Sequence, residues 1–494
     1  MRRTLLVVYL FALATLILHV ATGGSYGYFR DELYFIDCGE HLDWGYVDHA
    51  PMIAVLVKTS RILLGDSLRA LRFFPAVASY QLVLLTGLIA MELGGGVFAA
   101  SLACLGVMLG PIFLGTAALM TMNAFEPLFW MGCVYLLLLL IRRDQPKLLP
   151  WVGVLVGLGL ETKHSMIFFV AALVVAVLLT EHRRLLLNPW MWLAAAIALT
   201  LFLPNLIWQY KHGWPTYEDL SNVRRMHKNV ELPPLQFIGQ QILILNPLAL
   251  LVWGAGLMWL LRHRFRVLAF AYLAIFAIIL ALHGKNYYLA PAYPMLFAAG
   301  GVFWERFRGW RWVPLALVAI SGVALAPLTL PVLPVETLLQ YQNAMGIQAP
   351  KTEIAHNGLL PQHFGDQFGW PEMVSAVAAV YWKLSPEDRA QASIVAGNYG
   401  EAGAINFMGS KFGLPKAISG HQTYWFWGPG PNTGEVCILL QTSLDDAQDN
   451  FRSVEVGPEM NQPYAMPEEH FRILIGRGLK TPLRELWPNV KFWN

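Results

Sequence analysis

Residues 27–52 read GYFRDELYFIDCGEHLDWGYVDHAPM, six carboxylates and two histidines set between two apolar runs. On a soluble protein such a stretch would be ordinary surface. Here the flanking sequence changes its meaning, because a helix needs roughly 20 apolar residues to cross about 30 Å of hydrocarbon. Runs of that kind recur at about 4–23, 69–90, 97–117, 124–141, 148–162, 164–180, 189–209, 238–260, 267–282, 287–303 and 312–330. The composition agrees: 56% of the 494 residues are hydrophobic and 14% charged, well below the quarter or so charged in soluble domains. The expectation is a polytopic α-helical membrane protein with about 11 transmembrane helices, in which residues 27–52 form the first loop.

The side on which that loop lies follows from the arginines, since short cytoplasmic loops keep an excess of Lys and Arg. Counting from Arg2 and Arg3 inside, alternate loops carry Arg142, Arg143 and Lys147, then Arg183 and Arg184, then Arg262, Arg264 and Arg266, then Arg306, Arg308 and Arg311. The loop at Glu92 lacks the bias. Residues 27–52, a long loop near 210–236, the turn at His283–Asn286 and everything after about 331 therefore fall outside the cytoplasm. Met1-Arg2-Arg3 before an apolar core also fits a signal peptide. That reading is set aside because the run is long and the charge pattern needs it as the first span.

The chain divides near Leu330, giving a transmembrane part, 1–330, with outer loops 24–68 and 210–236, and an outer soluble domain, 331–494. In the second part ASIVAGNYGEAGAINFMG reads as a strand at Ala392–Val395, a glycine turn and a helix from about Glu401. LPKAISGHQTYWFWGPG, EVCILLQTS and EHFRILIGRG add short β-rich runs, so an α/β domain is expected. GNYGEAG departs from G-x-G-x-x-G and is a weak nucleotide signal. Of Cys38, Cys104, Cys133 and Cys437, two face outward, Cys38 and Cys437, and the sequence leaves a disulfide and two free thiols both open. The net charge of +3 is accounted for by the inner loops and gives no reason to expect nucleic acid.

Candidate chemistry collects on the outer side. Asp31-Glu32 and Asp48-His49 lie where the chain leaves and re-enters the membrane. A carboxylate there can deprotonate a hydroxyl or hold a metal against a phosphate. Asp37, Glu40 and Asp43 read instead as solvated loop. Asn123 and Glu126 in TMNAFEPLFW, Lys163 and His164 in ETKHS, and Lys285 with Tyr287 and Tyr288 in HGKNYYLAPAYP add polar groups at the same membrane edge. Ionisable groups there are costly unless they face a polar cavity or one another. Arg224, Arg225, His227 and Lys228 form a basic run outside, suited to an anion or to the acids of the first loop. The combination suggests an enzyme working on a membrane-held phosphorylated substrate. A transporter or flippase for a lipid-linked or phosphorylated solute is the alternative, against which stands the scarcity of charge in mid-span segments.

GYFRDELYFIDCGEHLDWGYVDHAPM, LETKHSM and GKNYYLAPAYP, taken together, resemble the bacterial members of the protein O-mannosyltransferase and aminoarabinose transferase superfamily, the integral-membrane GT-C glycosyltransferases. The resemblance covers about residues 1–330 and implies a polyprenyl-phosphate sugar donor, reaction on the periplasmic face of the bacterial inner membrane, and inversion at the anomeric carbon. It puts the catalytic base on Asp31, with Glu32 beside it and Asp48 as the second acid. Donor-phosphate binding is expected at Lys285, Arg224, Arg225 and Tyr288, and the pocket at His49, Asn123, Glu126, Lys163 and His164. A divalent metal, Mg2+ or Mn2+, on Asp48, His49 and Glu126 is left open. So is the acceptor, whether protein, glycan or lipid. The chain departs from the family in having His49 where aminoarabinose transferases tend to have lysine, and TMN where many relatives read T-P-D.

Overall fold

The computed structural model describes residues 1–347 and 358–494. Each apolar run carries helix. Among the described residues, four helices are by themselves long and apolar enough to cross a membrane: α1 (Arg2–Thr22), Leu68–Glu92, α3 (Met122–Arg143) and α6 (Pro189–Lys211). The number rises to seven if each of three bent pairs is one span, among them α5 (Met166–Leu178) with Glu181–Leu187, bent by 120° at the end of its apolar run. Two runs that read as single spans are broken. Val97–Met108 and Pro111–Ala117 meet at 60°, and Pro234–Ile244 meets the segment from Pro247 at 99°. Both breaks precede a proline. Proline lacks an N–H and disfavours helical geometry in the residue before it. Gly110 is accordingly extended, and Asn246 takes a φ of 78°.

The membrane part is held by close helix crossings. Gly153 and Gly157 of α4 (Leu149–Thr162) lie four residues apart and let α6 approach backbone to backbone. A Cβ at Gly153 would come 2.2 Å from the Ala194 carbonyl oxygen. Gly256 on α8 (Leu250–Leu261) and Gly300 on α9 (Tyr293–Glu305) do the same for each other: an added Cβ would lie 2.0 Å from the Leu296 and Val252 oxygens respectively. With no hydrophobic force between helices in lipid, such contact through small residues is what holds them together.

The first loop folds into α2 (Arg30–Glu40). Its N-terminus carries Asp31 and Glu32, where negative charge is favourable, and the Glu32 carboxylate accepts the Phe29 N–H at 2.8 Å. Leu33, Tyr34, Phe35 and Ile36 are each 2% exposed or less. A four-residue run buried on every side needs partners all round the helix. It finds them in a C-terminal β-strand-containing domain, whose Ile394, Ile405, Ile438 and Ile475 share one apolar cluster with α2.

That domain has a five-stranded sheet of order β2-β1-β3-β5-β4, from β1 (Ala392–Val395), β2 (Ala417–Ile418), β3 (Val436–Leu439), β4 (Phe451–Glu459) and β5 (Arg472–Leu479). The β1 pairings with β2 and β3 are parallel, and β5 runs antiparallel to β3 and β4. α10 (Trp370–Lys383) and α11 (Tyr399–Met408) cover the sheet, α11 starting two residues ahead of the expected Glu401. The strand β4 has no counterpart in the sequence reading, because FRSVEVGPE is exposed along most of its length. The long loop 210–236 also holds structure, α7 (Pro215–Arg225). All four cysteines are buried free thiols.

Candidate functional site

The two acids at the start of α2 have different surroundings. Glu32 is fully buried, and four donors fill its carboxylate: Arg72 through Nε at 2.9 Å and Nη2 at 2.8 Å, the Met120 N–H at 2.8 Å, and the Phe29 N–H. Asp31 keeps part of its surface accessible, and the Tyr399 phenol donates to its Oδ1 at 2.9 Å. Arg30, between loop and domain, donates to Glu468 at 2.8 Å and Glu469 at 3.0 Å. Further along, Asp37 takes donors from Tyr424 and Asn406, Glu40 pairs with Arg61, and Asp43 accepts the Trp44 N–H at 2.7 Å. These three tie the loop to itself and to the sheet domain.

Asp48 accepts from the Tyr34 phenol at 2.9 Å. Burial pushes its carboxyl up to about 6, against the pull of the Tyr34 donor and, more weakly, of Lys228. Asp219 on α7 is also raised to about 6, first by burial and then by Asp48 itself, while a Gln422 amide donor at 3.0 Å and the charges of Lys228 and Lys285 draw it down. The charge of Lys228 thus bears on both acids, and that of Lys285 on Asp219. Lys285 is half-buried. Arg224 and Arg225 sit exposed on the last turn of α7, and Arg225 donates to Asn222 on its own helix. Lys228, three residues further on, donates from Nζ to the Asn494 carbonyl oxygen at 3.2 Å and is the member of that basic run whose charge bears on Asp48 and Asp219.

At the membrane edge a second group assembles. The Lys163 ammonium donates to Asn123 Oδ1 at 2.7 Å and Glu126 Oε2 at 3.0 Å, and it lies 4.4 Å from the centre of the Tyr288 ring. Ser165 donates to the other Glu126 oxygen. His164 Nε2 meets Asn205 Oδ1 at 3.1 Å, and the Asn205 amide donates to the Trp44 carbonyl at 2.8 Å, which joins this group to the acidic loop. Tyr288 is therefore a neighbour of Lys163.

The set Asp48, His49 and Glu126 does not form a metal site. Burial holds the His49 imidazole neutral, down to about 4. Its Nδ1 lies 2.9 Å from the Ala50 carbonyl oxygen and its Nε2 faces Cys38 Sγ at 3.7 Å. Glu126 is taken up by Lys163 and Ser165. Among the described residues no three His, Cys, Asp or Glu side chains are grouped to hold a metal ion.

The structure adds Tyr34, Asp219, Lys228, Tyr399 and Thr423 to the neighbourhood of Asp31 and Asp48. Lys228 lay within the basic run read from the sequence. Tyr399 and Thr423 carried no signal, being 368 and 389 residues from the groups they bond.

Residues 48–208 match the family model described as dolichyl-phosphate-mannose-protein mannosyltransferase. A curated relative, the lipid A galacturonosyltransferase RgtD of Rhizobium johnstonii, is 26% identical over 231 residues, 45% of this chain and 47% of that protein. The alignment thus spans about half the length of that relative. Among solved structures, ArnT from Cupriavidus metallidurans bound to undecaprenyl phosphate superimposes with a TM-score of 0.64 at 13% identity, covering 94% of this chain and 97% of that one. The apo state of the same protein gives 0.59. The fold is GT-C-like: a polytopic helical membrane protein with a C-terminal β-strand-containing domain.

Proposed function

We propose that this chain is a glycosyltransferase that moves a sugar from a polyprenyl-phosphate donor to an acceptor hydroxyl on the periplasmic side of a bacterial inner membrane. The observation that carries the reading is the grouping of Asp48 and Asp219 under the charges of Lys228 and Lys285, with Asp48 linked to Asp31 through Tyr34 and Tyr399, in a fold superimposable on a protein solved with undecaprenyl phosphate. A domain boundary near residue 330 and about eleven crossings belong to the same reading, as does the outward orientation given by the arginine pattern.

In the step proposed, Asp31 takes the proton from the acceptor hydroxyl as its oxygen attacks the anomeric carbon. The bond from that carbon to the phosphate oxygen breaks with inversion, and polyprenyl phosphate leaves. Lys285 and Lys228 balance the charge that develops on the phosphate, an electrostatic contribution largest where water is excluded. Asp48, raised towards neutrality by burial, sets the field at the mouth with Asp219. Glu32, saturated by its four donors, holds the helix that carries Asp31. Lys163, with Glu126, Asn123 and Tyr288, shapes the membrane edge of the pocket. No step runs through a metal.

The test is incubation of purified protein with a panel of polyprenyl-phosphate sugars and candidate acceptors, with released polyprenyl phosphate followed by mass. Turnover is expected with at least one donor. Asp31→Asn should reduce it by about 100-fold or more, the range for loss of a general base, and near-normal turnover in a folded Asp31→Asn protein would remove the base assignment.

A further inference from the structure

We propose that the C-terminal β-strand-containing domain positions both acids of the site, Tyr399 holding Asp31 directly and Thr423 holding Asp48 through Tyr34. The inference rests on the reading of Asp31 as base and goes beyond it, because it makes residues of the sheet domain part of the machinery.

Tyr399 follows β1 and Thr423 follows β2. These are adjacent parallel strands, so both loops leave the same edge of the sheet, the carboxyl ends, where open α/β sheets carry their working residues. The loop after β1 is fixed from both sides. Asn398 Oδ1 accepts the Gly400 and Glu401 N–H groups at 2.9 and 3.0 Å, and the Glu401 carboxylate accepts the Gly397 N–H at 2.7 Å. The Tyr399 N–H donates to His421 Nδ1 at 3.2 Å, which binds this loop to the one after β2. The Tyr399 ring packs against His421, 4.9 Å away, and Tyr34, 5.0 Å away, each tilted by 35°. The phenol therefore reaches Asp31 from a backbone that cannot easily shift.

The second chain is settled by counting protons. A carboxylate only accepts, and each hydroxyl has one proton to give. Tyr34 lies 2.9 Å from Asp48 Oδ1 and 2.6 Å from Thr423 Oγ1. If its proton goes to the carboxylate, the Thr423 hydroxyl must donate to the phenol oxygen. Thr423 Oγ1 in turn accepts the Val47 N–H at 3.1 Å. The chain Val47, Thr423, Tyr34, Asp48 then runs in one direction, and the Thr423 N–H adds a longer donor to the phenol oxygen at 3.4 Å. Mere adhesion between loop and domain does not require it, since Leu33–Ile36 already bury α2 in the apolar cluster.

Charged and titratable groups around Asp31 include Arg30 and Glu32 on its own helix, His49 from the loop, Tyr399 with His421 and Asp366 behind the phenol, and Tyr34 with Asp48 on the other side of that ring. Among them Tyr399 gives a hydrogen bond that a phenylalanine would delete without changing the ring. The experiment compares full-length Tyr399→Phe and Thr423→Val with the parent in kcat, donor KM, pH–rate profile and thermal melt. Tyr399→Phe is expected to lower kcat by 10- to 100-fold, with donor KM within about twofold and the melt little changed, the span set by losing one hydrogen bond to a charged group. Its acidic limb should move to higher pH, because a carboxylate without its donor keeps its proton longer. Thr423→Val should lower kcat several-fold. If Tyr399→Phe folds poorly, fluorinated tyrosine at 399 preserves the ring and changes the phenol acidity, and the acidic limb must then shift. Variants that melt like the parent and keep kcat and pH profile within twofold, or a fluorinated protein with an unmoved profile, overturn the proposal. An active Asp31→Asn protein overturns the base reading instead, whereas an inactive one beside parent-like Tyr399→Phe and Thr423→Val removes this inference alone.

Discussion

Burial raises the carboxyls of Asp48 and Asp219 from the usual carboxylate range to about 6, and the sign of the consequence for stability follows from linkage. The unfolded chain releases the Asp48 proton near pH 4 and the folded chain near pH 6. Between those values the folded state holds more protons, so the stability this residue contributes falls as pH rises across the window. Neutral buried histidines such as His49 and His421 slope the other way, so the parent's own melt does not isolate the effect. The difference does: Asp48→Asn is expected to gain on the parent by about 1 kcal/mol between pH 4.5 and pH 7, after allowance for the accessible part of the side chain. Apparent melting temperatures of the two proteins across that range check it, and a constant gap would contradict it. At this scale the sequence reading reached the acids, because a polar cluster between apolar runs is visible as composition. It did not single out Lys228 within the basic run as the charge that bears on Asp48 and Asp219, which depends on where α7 ends and how the chain turns after it.

Among the elements, α2 is the one on which the site is mounted, and Glu32 with Arg72 is its fastening. Removing one partner of a buried ion pair leaves the other charge stranded, typically at about 3–5 kcal/mol. Glu32→Ala is therefore expected to lower the melting temperature sharply in detergent, while Asp31→Asn, one residue away, leaves it nearly unchanged. If both variants melted alike, the division of labour between the two acids would be wrong. Gly153→Leu should be similarly damaging, because the Cβ has no room beside the Ala194 carbonyl, and its checkable sign is loss of monodisperse protein on size exclusion. The apolar runs gave the helices their places. Their bends at Gly110-Pro111 and Asn246-Pro247 were missed because hydropathy averages composition over a window and carries no direction. The prolines at both breaks were the available signal.

For the whole molecule, the arginine pattern underlies the orientation proposed above, which labelling can read. The four native cysteines are buried, so single cysteines introduced at exposed sites report against a low background. A thiol reagent that cannot cross the bilayer should modify Asp445→Cys on intact, wall-stripped cells and leave Arg262→Cys untouched until the membrane is opened; the reverse pattern would invert the topology. The domain's strands β1, β2, β3 and β5 were legible as short β-rich runs, but its union with the first loop was not, since no local pattern records a contact between residues nearly four hundred positions apart. That separation has a meaning in time. Asp31 emerges early in synthesis and Tyr399 comes 368 residues later, roughly 20–70 s at about 5–20 residues per second. With the roles proposed for Asp31 and Tyr399, the order of translation itself delays the onset of chemistry until the last third of the protein has been made.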